Sequence, residues 1–401
     1  MMQTRIVKVP QTGASLGQFK PGETHQRLEQ WQIQPNADIT ALKEAGDYLR
    51  QNDTPVAFPT ETVYGLGADA TRSASVKGIY AAKGRPSDNP LIVHVCDLQM
   101  LRELLGDAAE DMPDRYKTLM DKFWPGPLTL LVPNPQPSKL APEVTAGLST
   151  FGVRMPSSTL ALSLIKLAGV PLAAPSANAS TKPSPTAAHH VKHDLDGRIE
   201  LILDGGPSQV GVESTVVDGI CEPPVILRPG GVSIEELRSC AGWENVVKGY
   251  KDESEEGKST PRAPGMKYKH YSPKARVVLY ESSNKLASSG IASSDLESAL
   301  PTQNGHTNGS TQQIIGIIRT QRWKSGAGFQ VQQWQQATSV GDDDSGAGYE
   351  VTSGELAESD GHGSELIYDI DLGHDTRGIA QGLFSALRDL DSRGADTIFV
   401  D

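Results

Sequence analysis

Pro55-Val56-Ala57-Phe58-Pro59-Thr60-Glu61-Thr62-Val63-Tyr64-Gly65-Leu66-Gly67 passes from a short apolar run into hydroxyl-bearing residues and then glycines. Residues 55–59 read as a buried strand. Residues 60–67 read as a strand-to-loop turn, at the carboxyl end of the strand, where α/β sheets commonly hold ligands. Gly65 and Gly67 lack the third glycine and the following helix of a dinucleotide fingerprint. Upstream, Ile39, Leu42, Gly46 and Leu49 recur at helical spacing behind Asp38, a natural N-cap. Helix thus leads to strand, and the alternation continues. Strands are expected at 91–95, 128–132, 150–155, 171–174, 199–203, 214–218 and 225–228. Helices are expected near 73–83, 97–105, 113–123, 157–169, 184–195 and 233–240, the last opened by the capping-box pair Ser233 and Glu236. The pattern is an α/β sheet domain over 36–250, after an amino-terminal extension of 1–35.

A chain of 401 residues exceeds what one core usually serves, so a second domain is expected. Residues 251–275 combine a charge run with Pro261, Pro264, Gly265 and Pro273 and read as a linker. Beyond it, strands at 276–280, 314–319, 366–372 and 397–400 and a helix over 376–393 make a smaller α/β domain. That helix carries Ile379, Leu383, Leu387 and Leu390 on one face. The polar stretches 282–312 and 336–364 read as loops or disordered insertions. The domain reads as incomplete at Asp401, directly after a strand-like run.

The net charge of −12 is unevenly placed: residues 276–401 hold 8 Lys and Arg against 18 Asp and Glu. The first region is close to neutral, so no basic field of the kind that drives non-specific nucleic-acid binding covers the chain. No apolar run approaches the roughly 20 residues needed to span a bilayer. No secretory h-region opens the chain, and a cytosolic home is expected. Cys96, Cys221 and Cys240 have neither CxxC spacing nor an even count and read as reduced, buried thiols.

Val76, Ile79, Tyr80 and Lys83 share a helical face, so Lys83 and Arg85 leave the helix end just before Pro86 forces an extended path. Two cations at one corner suit phosphate; they also suit a helix C-terminus, and both readings stand. In 150–155, period-two alternation puts Thr150, Gly152 and Arg154 on one face, with Arg154 pointing away from the apolar layer as a carboxylate fork or an edge-strand ion pair. Ser176 and Asn178 follow a strand ending in Pro175, and small polar side chains there can hold phosphate oxygens. Ser184-Pro185 has the N-cap and N1 arrangement of a helix start. Ser214 and Arg228 sit at further strand ends. His94 lies within an apolar strand, as a cleft residue or a hydrogen-bonded structural one.

Together these segments resemble the threonylcarbamoyl-AMP synthase family, with its YrdC-type catalytic domain. The resemblance rests on PTETVYGLG at 59–67, KGRP at 83–86, NPLIVHV at 89–95, WPGPLT at 124–129, VRMP at 153–156, APSAN at 174–178, GVEST at 211–215 and LRPGG at 227–231. Ala263-Pro264-Gly265-Met266-Lys267-Tyr268 is similar to the interdomain segment of the two-domain branch, whose second module is Rossmann-like. The resemblance implies a YrdC-like twisted open sheet. It also implies an enzyme that joins L-threonine, bicarbonate and ATP into threonylcarbamoyl-adenylate, releasing pyrophosphate, for a tRNA threonylcarbamoyl-transferase complex that modifies adenosine. Thr60, His94, Arg154, Ala174 and Ser214 would hold threonine. Lys83, Ser87, Thr150, Ser176, Ser184, Arg228 and Tyr268 would line ATP, with Arg85 and Asn178 completing a catalytic set of Lys83, Arg85, Arg154, Ser176 and Asn178. Mg2+ is implied with the triphosphate, weak RNA binding is left open, and no membrane partner is implied.

Overall fold

The computed structural model describes residues 2–10, 16–21, 27–249, 271–281, 290–292, 295, 313–331, 333–337, 348–356 and 366–401. Most of the expected linker, with Tyr268, lies outside them. So do most of 282–312 and much of 336–364. The chain divides into two compact units, Met1–His270 and Tyr271–Asp401.

The strands of the first unit are β1 (Arg5–Lys8), β2 (Gly17–Phe19), β3 (Trp31–Ile33), β4 (Val56–Pro59), β5 (Tyr64–Asp69), β6 (Val93–His94), β7 (Leu128–Pro133), β8 (Thr150–Arg154), β9 (Leu172–Ala173), β10 (Leu201–Asp204), β11 (Thr215–Asp218), β12 (Val225–Arg228) and β13 (Val247–Lys248). The helices are α1 (Thr40–Gln51), α2 (Ser73–Lys83), α3 (Leu98–Leu105), α4 (Arg115–Phe123), α5 (Pro142–Thr145), α6 (Thr159–Ala168), α7 (Ala188–Leu195) and α8 (Ile234–Arg238). Among the described residues the main sheet runs β1-β10-β4-β5-β9-β6-β8-β7-β11-β12-β13, with β2 and β3 as a separate hairpin. The stretch read as an extension therefore contributes an edge strand, with Arg5–Lys8 paired to Leu201–Asp204.

The opening motif differs from its sequence reading. Instead of leaving the sheet after Pro59, the chain turns through Thr60–Val63 and returns as β5, antiparallel to β4. Gly67 makes this return possible by close approach. A Cβ on Gly67 would come within 2.6 Å of the Phe58 ring, and one on Gly65 within 3.4 Å. Phe58 is fully buried in consequence.

Several local expectations shift by a few residues. Ile39, not Asp38, occupies the cap position of α1, though Asp38 still accepts from the Thr40 N–H at 3.2 Å. Ser184 caps no helix: α7 begins at Ala188, and the Ser184 hydroxyl is drawn to Glu213. Ser233 and Glu236 do form the reciprocal capping box. Gly84 ends α2 in the left-handed region (φ 62°), a conformation glycine adopts without steric cost. That turn leaves Lys83 buried and Arg85 partly exposed. Cys96 and Cys240 are buried thiols, whereas Cys221 is half-buried.

Gly78 packs α2 onto the chain leading into β4. A Cβ there would overlap the Asp53 carbonyl oxygen and touch Pro55. Although alanine is the better helix former by about 1 kcal/mol, Gly78→Ala is expected to destabilise the fold by about 1–3 kcal/mol through overpacking. A raised melting temperature would show that the contact yields.

The second unit contains β14 (Arg276–Leu279), β15 (Ile314–Arg319), β16 (Gln335–Gln336), β17 (Val351–Glu355), β18 (Leu366–Asp371), β19 (Thr397–Val400) and α9 (Thr376–Ser392). The sheet order is β14-β19-β15-β18-β17-β16, parallel through β18 and antiparallel beyond it. Ile315, Ile317, Ile367 and Phe399 are buried in its core. The stretch 336–364 reads as loop from its sequence, but it supplies β17. Its Thr, Ser and Gly hide the strand pattern, and pairing with β18 makes it a strand. The Asp401 carboxylate accepts the N–H groups of Arg322 and Trp323 at 2.6 and 2.9 Å, and it also takes those of Thr320 and Gln321. No helix among the described residues is long and apolar enough to cross a membrane.

Candidate active site

β4 runs antiparallel to β5, β5 to β9 and β9 to β6, while β6 and β8 are parallel. The carboxyl ends of β4 and β8 thus face opposite edges, four strand spacings or about 19 Å apart in a flat sheet. Yet the Arg154 guanidinium at the end of β8 donates to Thr62 Oγ1 at 2.9 Å. The β4–β5 turn and the end of β8 must fold toward each other over one face. The site is therefore not gathered along one shared carboxyl edge of the strands; it lies on the face of a mixed, curled sheet.

The segment Thr60–Tyr64 is held by hydrogen bonds to three later loops. Val210 N–H donates to Glu61 O (2.7 Å), Gly211 N–H to Thr62 O (3.0 Å), and Tyr64 N–H to Pro185 O (2.8 Å); the Ser208 hydroxyl donates to Thr60 O (3.0 Å). Ala177 N–H donates to Tyr64 O at 2.8 Å. Segments 60–64, 174–178, 184–186 and 208–214 thereby form one contiguous wall. Thr60 closes the turn locally, its hydroxyl donating to Val63 O at 2.7 Å.

Arg154 is buried, with side-chain exposure of 4%. It donates through Nε to Gly126 O (3.1 Å), to Thr62 Oγ1, and to Glu61, whose other carboxylate oxygen accepts the Ser157 N–H at 3.0 Å. Strand alternation points Arg154 away from the apolar layer but gives no sign of Glu61. A carboxylate beside Arg154 is foreseeable only by asking what neutralises a buried guanidinium.

His94 pairs with Arg154 across β6 and β8 and is fully buried. Its Nδ1 lies 3.3 Å from the Ile92 carbonyl, which can only accept. Nδ1 therefore carries the hydrogen, and Nε2 is left as an acceptor. Burial, reinforced by the positive charge of Arg154, pushes the imidazole pKa down to about 3. The folded value lies below the ordinary 6.5, so the unfolded chain takes up a proton that the native state refuses. Stability should fall as pH drops from 6.5 toward 3, by up to about 1.4 kcal/mol per pH unit. Urea midpoints between pH 7.5 and 5 should show this slope, and His94→Gln should flatten it; an equal slope in both proteins would assign it to other groups.

Lys83 is buried and donates to the Ser176 carbonyl, to Asn178 O (2.6 Å) and to Asn178 Oδ1 (3.4 Å). The Ser176 hydroxyl donates to Asn178 Oδ1 at 2.5 Å, and Asn178 Nδ2 donates to Ala179 O (2.9 Å) and Lys182 O (2.8 Å). Both ends of the Asn178 amide are thus engaged within the protein. On the far side, Arg228 donates to Ser214 O at 2.7 Å and Ser214 Oγ at 3.0 Å, and Ser214 also meets the Thr129 hydroxyl at 2.8 Å. Glycine at 230 is required there, because a Cβ would overlap the backbone of Glu213–Thr215.

These contacts join Thr60, Arg154, Ala174, Ser176, Asn178, Lys83, Ser184, Ser214 and Arg228 into one wall, with His94 beside Arg154. Ser87 lies exposed on the loop after Arg85, and Thr150 opens β8 at the end opposite Arg154, about 13 Å along the strand. Tyr268 lies outside the described residues.

Residues 48–230 match the family model described as Telomere recombination, and residues 232–401 the one described as Threonylcarbamoyl-AMP synthase, C-terminal domain. The threonylcarbamoyl-AMP synthase of Schizosaccharomyces pombe is 44% identical over 391 residues, covering 92% of this chain and 85% of that protein. That of Bacillus subtilis is 54% identical over 242 residues, covering 60% and 67%. A crystal structure of P. abyssi Sua5 complexed with L-threonine superposes with a TM-score of 0.68 at 36% identity, covering 91% of this chain and 89% of that one. With both domains matched and the fold shared nearly end to end, the chain belongs to the threonylcarbamoyl-AMP synthase family.

Proposed function

We propose that this wall binds L-threonine and ATP side by side and joins them, with bicarbonate, into threonylcarbamoyl-adenylate and pyrophosphate. The observation that carries the proposal is Arg154. Three of its five N–H donors are taken by Gly126, Thr62 and Glu61, and the remaining two have no protein partner among the described residues. Two donors are what a carboxylate accepts in a bidentate pair. Threonine's carboxylate sits there, with Thr60, Ala174 and Ser214 around the amino acid and the His94 Nε2 lone pair facing a substrate donor. The threonine amine captures carbon dioxide, or bicarbonate with loss of water. The carbamate oxygen then attacks the α-phosphorus, and pyrophosphate leaves.

Lys83, Arg85, Ser87, Thr150, Ser176, Ser184, Arg228 and Tyr268 serve the nucleotide, and Asn178 acts through Lys83 and Ser176. These residues supply charge and position rather than a dedicated base, which suits phosphoryl-type chemistry. They are cations, hydroxyls and amides, and among the described residues no group of three acidic, His or Cys side chains gathers to hold a metal. This donor set fits phosphate oxygens rather than Mg2+, so no step is routed through the ion. The product is a mixed anhydride, and a tRNA-modifying transferase in the same cytosolic compartment consumes it. The catalytic domain spans 36–250, with β1 added to its sheet; 276–401 is its Rossmann-like companion.

Pyrophosphate release from ATP should require threonine and bicarbonate together. Turnover that ignores threonine would overturn the reading.

A further inference from the structure

Arg154 is held at three corners by three different acceptors, and of these only Glu61 is charged. Both side chains are buried, at 4% and 6% exposure, so neither is screened by solvent. Glu61 is also anchored from the far side, because its second oxygen accepts the Ser157 N–H at 3.0 Å. The carboxylate therefore cannot swing away with the arginine. It ties the β4–β5 turn to the chain leaving β8. A planar guanidinium fixed at Nε, at one terminal nitrogen by a hydroxyl and at the other by an anchored anion has little freedom to rotate.

We propose that Glu61 is a positioning residue: the Ser157–Glu61–Arg154 chain sets the plane of the guanidinium so that its two remaining donors meet the carboxylate of the amino-acid substrate. The inference rests on the assignment of Arg154 to that carboxylate. Glu61 has an electrostatic cost, since its negative charge opposes a second carboxylate at the same guanidinium. Orientation and charge consequently predict opposite signs when the charge is removed, which makes the proposal decidable.

In Glu61→Gln the side chain can accept from Arg154 or from Ser157, but not from both, because its amide end donates. KM for L-threonine is expected to rise at least about tenfold, with KM for ATP within about twofold and calorimetric threonine affinity falling in parallel. An unchanged or lowered threonine KM would overturn the proposal, because it would mean that Glu61 only attenuates charge. Glu61→Asp keeps the buried charge that supports folding but is one methylene too short to bridge both partners. It should show the same threonine-specific rise even if the Gln variant fails to fold, and wild-type threonine parameters in the Asp variant would equally reject positioning.

L-threoninol, which replaces the carboxylate by an alcohol, separates this inference from its premise. If Arg154 holds the carboxylate, Arg154→Lys narrows the preference for L-threonine over L-threoninol; if that preference is unchanged, the premise fails. If the premise holds and Glu61→Gln leaves the preference as in the wild type, Glu61 does not position the fork. Narrowing in both variants is the expected result.

Discussion

Arg154→Ala should abolish threonine-dependent pyrophosphate release, with kcat/KM for threonine down by about 10²–10³ or more, and should destabilise the fold as well. The activity loss follows from removing the carboxylate fork. The stability loss follows from Glu61, which stays buried beside Ser157 with its countercharge gone. Breaking one side of a buried ion pair costs about 3–5 kcal/mol, whereas replacing both partners by apolar groups can be close to neutral. Arg154→Met combined with Glu61→Leu is therefore expected to recover most of the urea midpoint lost in Arg154→Ala and none of the activity. Recovery of activity together with stability would mean that Arg154 supports the fold and touches no substrate. A double variant as unstable as the single would locate the cost in Thr62 and Gly126, whose acceptor groups also face the lost guanidinium.

Lys83→Ala should have a comparable effect through the other substrate. Lys83 is 3% exposed, and its ammonium donates to the carbonyls of Ser176 and Asn178 and to the Asn178 amide oxygen. With its three N–H donors directed at these oxygens, the ammonium acts on a phosphate through its charge, or by exchanging one of these bonds for a phosphate oxygen. Its removal should lower kcat/KM for ATP by about 10²–10³ while calorimetric threonine affinity stays within about threefold, because the Arg154 end of the wall keeps its own contacts. Lys83→Arg should not restore activity, since a planar fork cannot replace a compact charge whose donors point at three converging acceptors. ATP parameters within about threefold of wild type in Lys83→Ala would remove Lys83 from the nucleotide site.

Residues whose structure depends on neighbours within a turn or two were legible from the chain alone. The Ser233 and Glu236 box and the Leu387 and Leu390 face of α9 report short-range rules of capping and period. The joint motifs around Lys83, Arg154, Ser176 and Arg228 also point to the family, because each is a short block whose spacing survives in a linear string. Even where elements are foreseeable, boundaries move, as where α7 opens at Ala188 and leaves Ser184 to bond Glu213.

What the linear string conceals are relations between distant positions. Nothing near Gly67 announces that it clears space for the Phe58 ring, so β5 reads as a loop; and β17, built from Thr, Ser and Gly, becomes a strand only because β18 offers it an edge. Glu61 and Arg154 are 93 positions apart, and Lys83 and Asn178 are 95. Local propensity carries no information about which carboxylate will be buried against which guanidinium; strand order and the curl of the mixed sheet decide that. The amino-acid sequence was thus sufficient for most of the elements and for the family. Tertiary structure alone decided that Asn178 accepts from Lys83 and that Glu61 pairs with Arg154, because a buried charge or amide must find its partner wherever the fold brings one within reach.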